Sequence, residues 1–575
     1  MIKLKINDKV IESTTAKTIL EVAKENNIQI PTLCYYPDLD IKSDCRICVV
    51  EIEGRKGLVT SCSTHVEHNM SIKTNSPRVL NARKTITELI LSNHDANCTA
   101  CVKNLNCELQ SLANKLGIDE NRFEHVLHVK PLDEYNPSIL RNPNRCIKCG
   151  RCVDVCKNIQ GINVLESMNR SHDIEITPAY GKFLSDQSCT FCGQCASVCP
   201  VAAITEKDDT HAVWELLHDD HKHVIVQVAP AVRVSLGEEL GEPVGEIVTE
   251  KMVTALKMLG FDRVFDTDFT ADLTIIEEGH ELIDRIQNQG VLPMITSCCP
   301  GWVSYAEQYY PEILPHISSC KSPQQMFGAL AKTYYAKKEN INIDDLVVVS
   351  IMPCTAKKYE AKRDEMKSNP DYYDVDYVLT TRELGKMIKQ MGIHFEELEP
   401  HPFDSPFGIT TGAAVIFGAT GGVMEAALRT VSEVVNKKPL ESINFKEVRG
   451  LKGIKEAEIT LNHQKLKIAV AHTLANAKVL AEQVKDGSSE YAFIEVMACP
   501  GGCIGGGGQP YNTTKETRLK RIYATYRADE AALIRKSHEN PAIVALYKEF
   551  LKEPLGHHSH ELLHTTYTKR EDRLK

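Results

Sequence analysis

Residues 146–156 read CIKCGRCVDVC and residues 189–200 read CTFCGQCASVCP, so one spacing, C-x2-C-x2-C-x3-C, occurs twice, with Pro200 after the last cysteine. In segments of this kind, three thiolates of one stretch and the fourth of the other enclose each 4Fe-4S cluster. The reading assigns Cys146, Cys149, Cys152 and Cys199 to one cluster. Cys189, Cys192, Cys195 and Cys156 go to the next. A compact two-cluster domain is expected over residues 126–208.

Toward the N-terminus the cysteines continue in two further sets. Cys34, Cys45, Cys48 and Cys62 follow C-x10-C-x2-C-x13-C. Around them, apolar residues alternate at Ile2, Leu4 and Ile6, turn at Asn7-Asp8 and return through Val10 and Ile11, the pattern of a hairpin. A helix is expected over residues 18–26. Four soft thiolates from loops suit a 2Fe-2S cluster, with structural zinc as the competing reading. The spacing resembles the plant-type ferredoxin plan with a longer first gap.

Ser76-Pro77 reads as the cap and first residue of a helix over residues 77–93, with Val79, Ala82, Ile86, Leu89 and Ile90 on one face. Directly after it, His94, Cys98, Cys101 and Cys107 form H-x3-C-x2-C-x5-C. Three cysteines need a fourth ligand, and His94 is in reach. A neutral imidazole in place of a thiolate changes the charge and potential of a 4Fe-4S cluster. Fifteen of the 21 cysteines precede residue 209, and with His94 they make sixteen ligands. That set fills one 2Fe-2S and three 4Fe-4S clusters with none left over.

The rest of the chain has a different texture. HVIVQVAP (223–230), VLPMITSCCP (291–300), LVVVSIMPC (346–354), KIAVAH (467–472) and FIEVMACP (493–500) read as buried strands. Between them run helical periods, so helix-covered parallel sheets are expected, with chemistry at the C-terminal strand ends. GATGG at residues 418–422 lacks the GK(S/T) of a P-loop and precedes a helix, which points to close helix packing. The tail from Arg518 has helical character. Its His-rich residues 557–564 read as surface without a metal.

Composition bounds the rest. At 575 residues, with 42% hydrophobic and 25% charged residues, the chain needs several cores. A net charge of -10 argues against a general nucleic-acid binder. Arg141, Arg145, Lys148 and Arg151 read as solvated, or as a dock for an acidic protein. No apolar run of 18 residues and no export signal is visible, so a cytoplasmic protein without a membrane segment is expected. Without export, 21 cysteines point to metal, not disulfides.

Three strings remain: TSCCPGW (296–302), MPCTAKK (352–358) and EVMACPGGCIGGGG (495–508). They resemble the three signatures of iron-iron hydrogenases, and the resemblance covers essentially the whole chain. It is greatest to the long clostridial type and to the hydrogenase subunit of NAD(P)-linked complexes. The resemblance implies an H-cluster, a 4Fe-4S cube bridged through one cysteine to a two-iron unit with CO, cyanide and azadithiolate. By motif match Cys299, Cys354, Cys499 and Cys503 hold the cube, with Cys503 bridging. Cys298 is then free to pass protons, and Lys357 to hydrogen-bond a cyanide. Pro353, Met352, Gln324, Met497 and Phe417 match the pocket lining. Ala231 stands where some relatives have serine, which removes one hydrogen bond. Residues 505–508 are glycines expected to let backbone approach the cofactor closely.

The same resemblance implies a proton route through Cys298, Glu278, Ser318, Glu281 and Arg285. Cys320 has no role in it and reads as a small buried residue. The implied reaction is reversible, 2 H+ + 2 e- to H2. Its expected partners are ferredoxin or flavin- and NAD(P)-binding subunits, together with maturation proteins. The implied fold is a multidomain α+β and α/β chain. It comprises a β-grasp 2Fe-2S ferredoxin-like domain (1–78), a small helical His/Cys3 cluster module (79–125) and a two-cluster ferredoxin-like domain (126–208). A two-lobed α/β catalytic domain with parallel sheets (209–575) completes it. A pure electron-transfer subunit of an NADH dehydrogenase-like complex would lack the three strings. A hydrogenase-related assembly protein would lack the free cysteine and the extended relay.

Overall fold

The computed structural model describes residues 1–14, 17–125, 129–461 and 464–570. The N-terminal unit is a five-stranded sheet in the order Lys9–Ser13, Ile2–Ile6, Ser71–Lys73, Val49–Ile52 and Val59–Thr60. Asn7 and Asp8 take positive φ (48° and 67°) in the hairpin turn, which short polar residues tolerate. Leu4, Ile6, Ile11, Val50, Ile52 and Ile72 point inward and meet Val22 and Ala23 of the helix Ile19–Glu25. Thr18 and Glu21 close a reciprocal capping box at its start.

The helix Pro77–Leu91 begins as expected, with Ser76 Oγ accepting from Val79 N. Its buried face differs from the expected one. Leu89 is 48% exposed, whereas Val79, Arg83 and Thr87, one helical turn apart, are buried. The Arg83 guanidinium donates to the carbonyls of Ile47 (3.0 Å), Thr74 (3.0 Å) and Val49 (2.8 Å), binding the helix to the loop that carries Cys45 and Cys48. Apolar periodicity alone could not anticipate an arginine as the anchor.

Residues 129–208 are held by two short antiparallel pairs, Ile139–Arg141 with Ile204–Glu206 and Leu165–Met168 with Glu175–Pro178. The basic residues here are not a solvated face. Arg141 is buried against Asp133 (3.3 Å) and Arg151 against Glu108 (2.7 Å), each pairing compensating an otherwise costly buried charge.

Beyond them lie two four-stranded sheets. Arg263–Asp266, His223–Val228, Leu346–Met352 and Tyr377–Thr380 are parallel throughout. In the second, Met294–Ile295, Tyr491–Met497 and Gln464–His472 are parallel, but Ile454–Leu461 joins the edge antiparallel. The expectation of parallel sheets therefore fails at that edge. Ile454–Leu461 precedes Gln464–His472 immediately in the chain, and such neighbours pair as a hairpin with one face to solvent. All five apolar runs contain strands, though the one before Cys298 is only two residues long.

The tail is helical at Lys515–Ala531, Pro541–Leu546 and His557–Leu563. The surface reading of residues 557–564 holds for His557 and His558 and fails for His564, which is buried against Ser319 and Glu277. Among the described residues no helix is long and apolar enough to cross a membrane.

Candidate active site

The C-terminal ends of four strands converge. Val228 leads to Ala231, Ile295 to Cys298 and Cys299, Met352 to Pro353 and Cys354, and Met497 to Cys499 and Cys503. The thiols of Cys299, Cys354, Cys499 and Cys503 meet in one enclosed space. Burial pushes all four up, Cys354 to about 12, and the charges of Cys299 and Cys354 add to the rise of Cys499 and Cys503. Four thiols that disfavour one another's ionisation suit a soft cation, which offsets the repulsion and takes the thiolates as ligands. Every cysteine of the chain is free of disulfides.

Met352, Met497 and Phe417 are buried beside this space, and the Ala231 methyl sits against Gly418. Ala231 O accepts from Ser235 Oγ (2.8 Å) and Gln509 Nε2 (3.3 Å). Lys357 Nζ donates to Cys298 O (3.1 Å) and to Glu360 Oε2 (2.9 Å). Burial opposes its charge, but Glu360 and the nearby thiols outweigh burial and raise the ammonium. Glu360 also accepts from Ser322 Oγ (2.8 Å) and Gln324 Nε2 (3.2 Å). One buried carboxylate thus holds two pocket side chains. The sequence reading missed Glu360, although its place three residues after Lys357 on a helix was a usable signal.

The helix Thr267–Gln287 turns Glu278 and Glu281 inward. Burial raises the Glu278 carboxyl to about 8, and the Glu281 carboxylate adds to it. Ser318 and the Ser297 backbone lie near enough to oppose that rise, yet neither completes a hydrogen bond to its buried oxygens. Cys298 is pushed well up by burial and then by Glu278 beside it, so both groups are protonated at neutral pH. Glu281 accepts from Ser318 Oγ (2.8 Å) and Arg285 Nη2 (2.6 Å). Arg285 in turn donates to Ile317 O (3.0 Å). The five residues of the expected proton route thus stand together in order, from the thiol to the rim.

The glycines at 505–508 meet backbone. A Cβ on Gly506 would collide with Pro353 O and one on Gly507 with Cys192 O. Gly507 therefore seats the two-cluster domain on the catalytic lobe, while Gly505, Gly506 and Gly508 pack against Pro500, Pro353 and Thr380 of the lobe itself. Thr355 Oγ1 donates to Phe191 O (2.7 Å) and Gln194 Nε2 to Gly505 O (2.9 Å) across the same seam. It brings Cys192 close enough to Cys499 for its charge to raise that thiol. The glycines at 418–422 behave as expected: a Cβ on Gly421 or Gly422 would strike the backbone of Val448 or Ile416 at the start of the helix Gly422–Asn436.

Away from this centre the other cysteines also gather. The thiols of Cys146, Cys149 and Cys152 interact with Cys199 and line one apolar cavity with it. Cys192 and Cys195 interact with Cys189 and Cys156, giving the expected three-plus-one exchange. Cys34 pairs with Cys45, and Cys48 with Cys62 at 3.3 Å, so these four thiols lie as two pairs. The His94 ring is buried with no partner at Nδ1, and burial lowers it toward the neutral, metal-binding form. Cys98 and Cys101, on the loop after it, are partly exposed.

Five family profiles match the chain. Residues 222–507 match the iron only hydrogenase large subunit, C-terminal domain, and 515–570 the iron hydrogenase small subunit. Residues 1–77 match a 2Fe-2S iron-sulfur cluster binding domain. Residues 83–122 match the NADH-ubiquinone oxidoreductase-G iron-sulfur binding region, and 136–205 the NADH-quinone oxidoreductase subunit 3 ferredoxin-like domain. The chain is 49% identical to the NADP-reducing hydrogenase subunit HndD of Solidesulfovibrio fructosivorans, over 99% of both chains. It is 42% identical to iron hydrogenase 1 of Clostridium pasteurianum, over 96% of this chain and 97% of that one. The solved apo FeFe-hydrogenase from Chlamydomonas reinhardtii superposes with a TM-score of 0.57 at 44% identity, over 63% of this chain and 99% of that one.

Proposed function

The chain belongs to the iron-iron hydrogenase family, and from that membership we infer which of its residues carry each part of the reaction. It is an oxidoreductase that interconverts H2 with two protons and two electrons, and it bears 2Fe-2S and 4Fe-4S clusters together with the H-cluster. We assign the cube to Cys299, Cys354, Cys499 and Cys503. When bound, the H-cluster supplies the metal redox chemistry and the basic amine at which H2 is split or formed.

The protein's own contribution is a proton path and a fixed shell. Cys298 Sγ is the inner donor and acceptor, a role open to a thiol held at the right place. Glu278, neutral at pH 7, hands protons between it and Ser318 Oγ. Glu281 and Arg285 complete the path outward. Lys357, fixed by Glu360, offers an ammonium to an anionic ligand in the pocket, and Gln324, Met352, Pro353, Met497 and Phe417 exclude water around it. Ala231 offers only a methyl group there.

We assign electron transport to one 2Fe-2S cluster on Cys34, Cys45, Cys48 and Cys62 and to three 4Fe-4S clusters. These use His94 with Cys98, Cys101 and Cys107, then the two exchanged sets between residues 146 and 199. Domains at 1–78, 79–125, 126–208 and 209–575 follow from that assignment. The first two modules are the electron port, and by analogy with the NADP-reducing relative the port faces a flavin- and NAD(P)-binding subunit, or ferredoxin. The protein works in the cytoplasm, and dedicated maturation proteins load its H-cluster.

One observation carries the reading: Cys298, a buried thiol outside the four-cysteine set, lies close enough to Cys299, Cys503 and Glu278 for their charges to raise it. Infrared spectroscopy of matured protein tests it. Bands of metal-bound CO and cyanide are expected, and their absence from fully matured protein would remove the central assignment.

A further inference from the structure

The loop between Cys101 and Cys107 inverts the usual order of burial. Val102 and Leu105 are exposed, the latter by 88%, whereas Lys103 between them is 3% exposed. Lysine is almost never enclosed in this way without a paired charge. The inversion is held in place. Leu105 sits at a φ of 66°, a left-handed conformation costly for a branched side chain, and Gln110 fastens it there. Gln110 Oε1 accepts from Leu105 N (2.8 Å), and its Nε2 donates to Asn104 Oδ1 (2.8 Å). The loop thereby turns Lys103 inward.

Lys103 Nζ donates to Cys199 O (2.5 Å) and stands 3.6 Å over the Tyr511 ring, which also carries the guanidinium of Arg382 at 4.3 Å. Arg382 has its own counter-charge in Glu206. Among the described residues no carboxylate reaches ion-pair distance of Lys103. Burial lowers the ammonium; the charge of Cys199 and, less, those of Glu108 and Cys107 oppose that fall, while Arg382 adds to it. Glu108 is already held by Arg151 through both oxygens (2.7 and 2.8 Å). Sulfur on two sides is what remains to balance Lys103. Glu108 N also donates to Pro200 O (3.1 Å), so the residues directly after Cys107 and Cys199 are joined beside it.

We propose that Lys103 is the shared counter-charge of two iron-sulfur clusters, the one that includes Cys107 and the one that includes Cys199, and that it sets the potentials of both. The inference rests on the ligand assignment given above. A buried cation without its anion is strongly destabilising, and two thiolate-ligated clusters supply the missing negative charge. An electron arriving at either cluster adds one negative charge beside the ammonium, in an interior where the attraction is weakly screened. Lys103 therefore favours the reduced form of both and raises their potentials together. When one of the two is oxidised by one electron and the other reduced by it, the electron stays beside the same positive charge, so the step between them remains small.

The test is a redox titration of the full-length holoenzyme followed by electron paramagnetic resonance, in which nitrogen coupling tells the His94 cluster from the others. Lys103→Gln removes the charge but still offers an N–H to Cys199 O. It should make both clusters harder to reduce by at least about tenfold in the equilibrium, a fall of about 59 mV for one electron. Lys103→Arg keeps the charge and should stay near the wild-type potentials. The infrared bands of the H-cluster should be the same in all three proteins. Lys103→Met repeats the removal without a polar group, so a folding failure of the glutamine variant leaves the question answerable. Unmoved potentials in a neutral variant, a shift at only one of the two clusters, or an equal fall in Lys103→Arg would each overturn the shared role. A wild-type protein lacking either cluster's signal would remove the proposal together with the ligand assignment beneath it.

Discussion

Lys357 Nζ sits 2.9 Å from Glu360 Oε2, and burial encloses both partners. Removing one partner of such a pair strands the other's charge, at a cost of roughly 3–5 kcal/mol. Glu360→Gln keeps the shape and should therefore destabilise the chain measurably in urea. It should also shift the cyanide bands in the infrared, because Lys357 and Gln324 lose their common anchor. Unchanged bands in a folded variant would separate Glu360 from the pocket.

Cys298→Ser should keep iron content and CO bands while lowering hydrogen evolution by at least about two orders of magnitude. A serine hydroxyl is nearly the size of a thiol but too weak an acid to exchange the proton. Cys298→Asp should restore part of the rate. Near-normal turnover by the serine variant, with cofactor occupancy verified, would leave the inner proton donor unidentified.

Glu278 gives a signed pH dependence. Its carboxyl rises from 4.5 to about 8 on folding, so between those values the folded chain holds a proton that the unfolded chain releases. Stability contributed at this site falls as pH rises across that window. Glu278→Gln should flatten that part of the stability–pH curve, measured by urea unfolding at a series of pH values. It should also abolish rapid turnover, since an amide cannot relay a proton. A curve with the same slope in both proteins would refute the assignment of the shift.

His94 was singled out because the three cysteines after it need a fourth ligand, and its test is a potential. His94→Cys should retain the cluster and move its midpoint potential in a redox titration followed by electron paramagnetic resonance. His94→Ala should weaken or lose that signal. An untouched signal and potential in the alanine variant would refute ligation by His94.

Ligand spacing is local, which is why the cysteine sets at 146–156 and 189–199 could be grouped from sequence alone, down to their exchange. What escaped depends on residues far apart in the chain. Arg151 looked like a surface charge because Glu108, 43 residues earlier, becomes its partner only in the folded protein. His564 passed for surface because Glu277, 287 residues away, turns it inward. The glycines at 505–508 were legible as close-approach residues, and among the groups they approach are the carbonyls of Pro353 and Cys192, which only the fold reveals.

That glycine seam sets a distance. Electron tunnelling weakens exponentially with separation, and the contact between Gly507 and the Cys192 carbonyl leaves no room for even one methyl group. A side chain at 507 would wedge the two-cluster domain away from Cys499, so Gly507→Ala should slow the last electron step while proton exchange at Cys298 continues. The smallest residue in the chain thus acts as the gauge of an electrical gap.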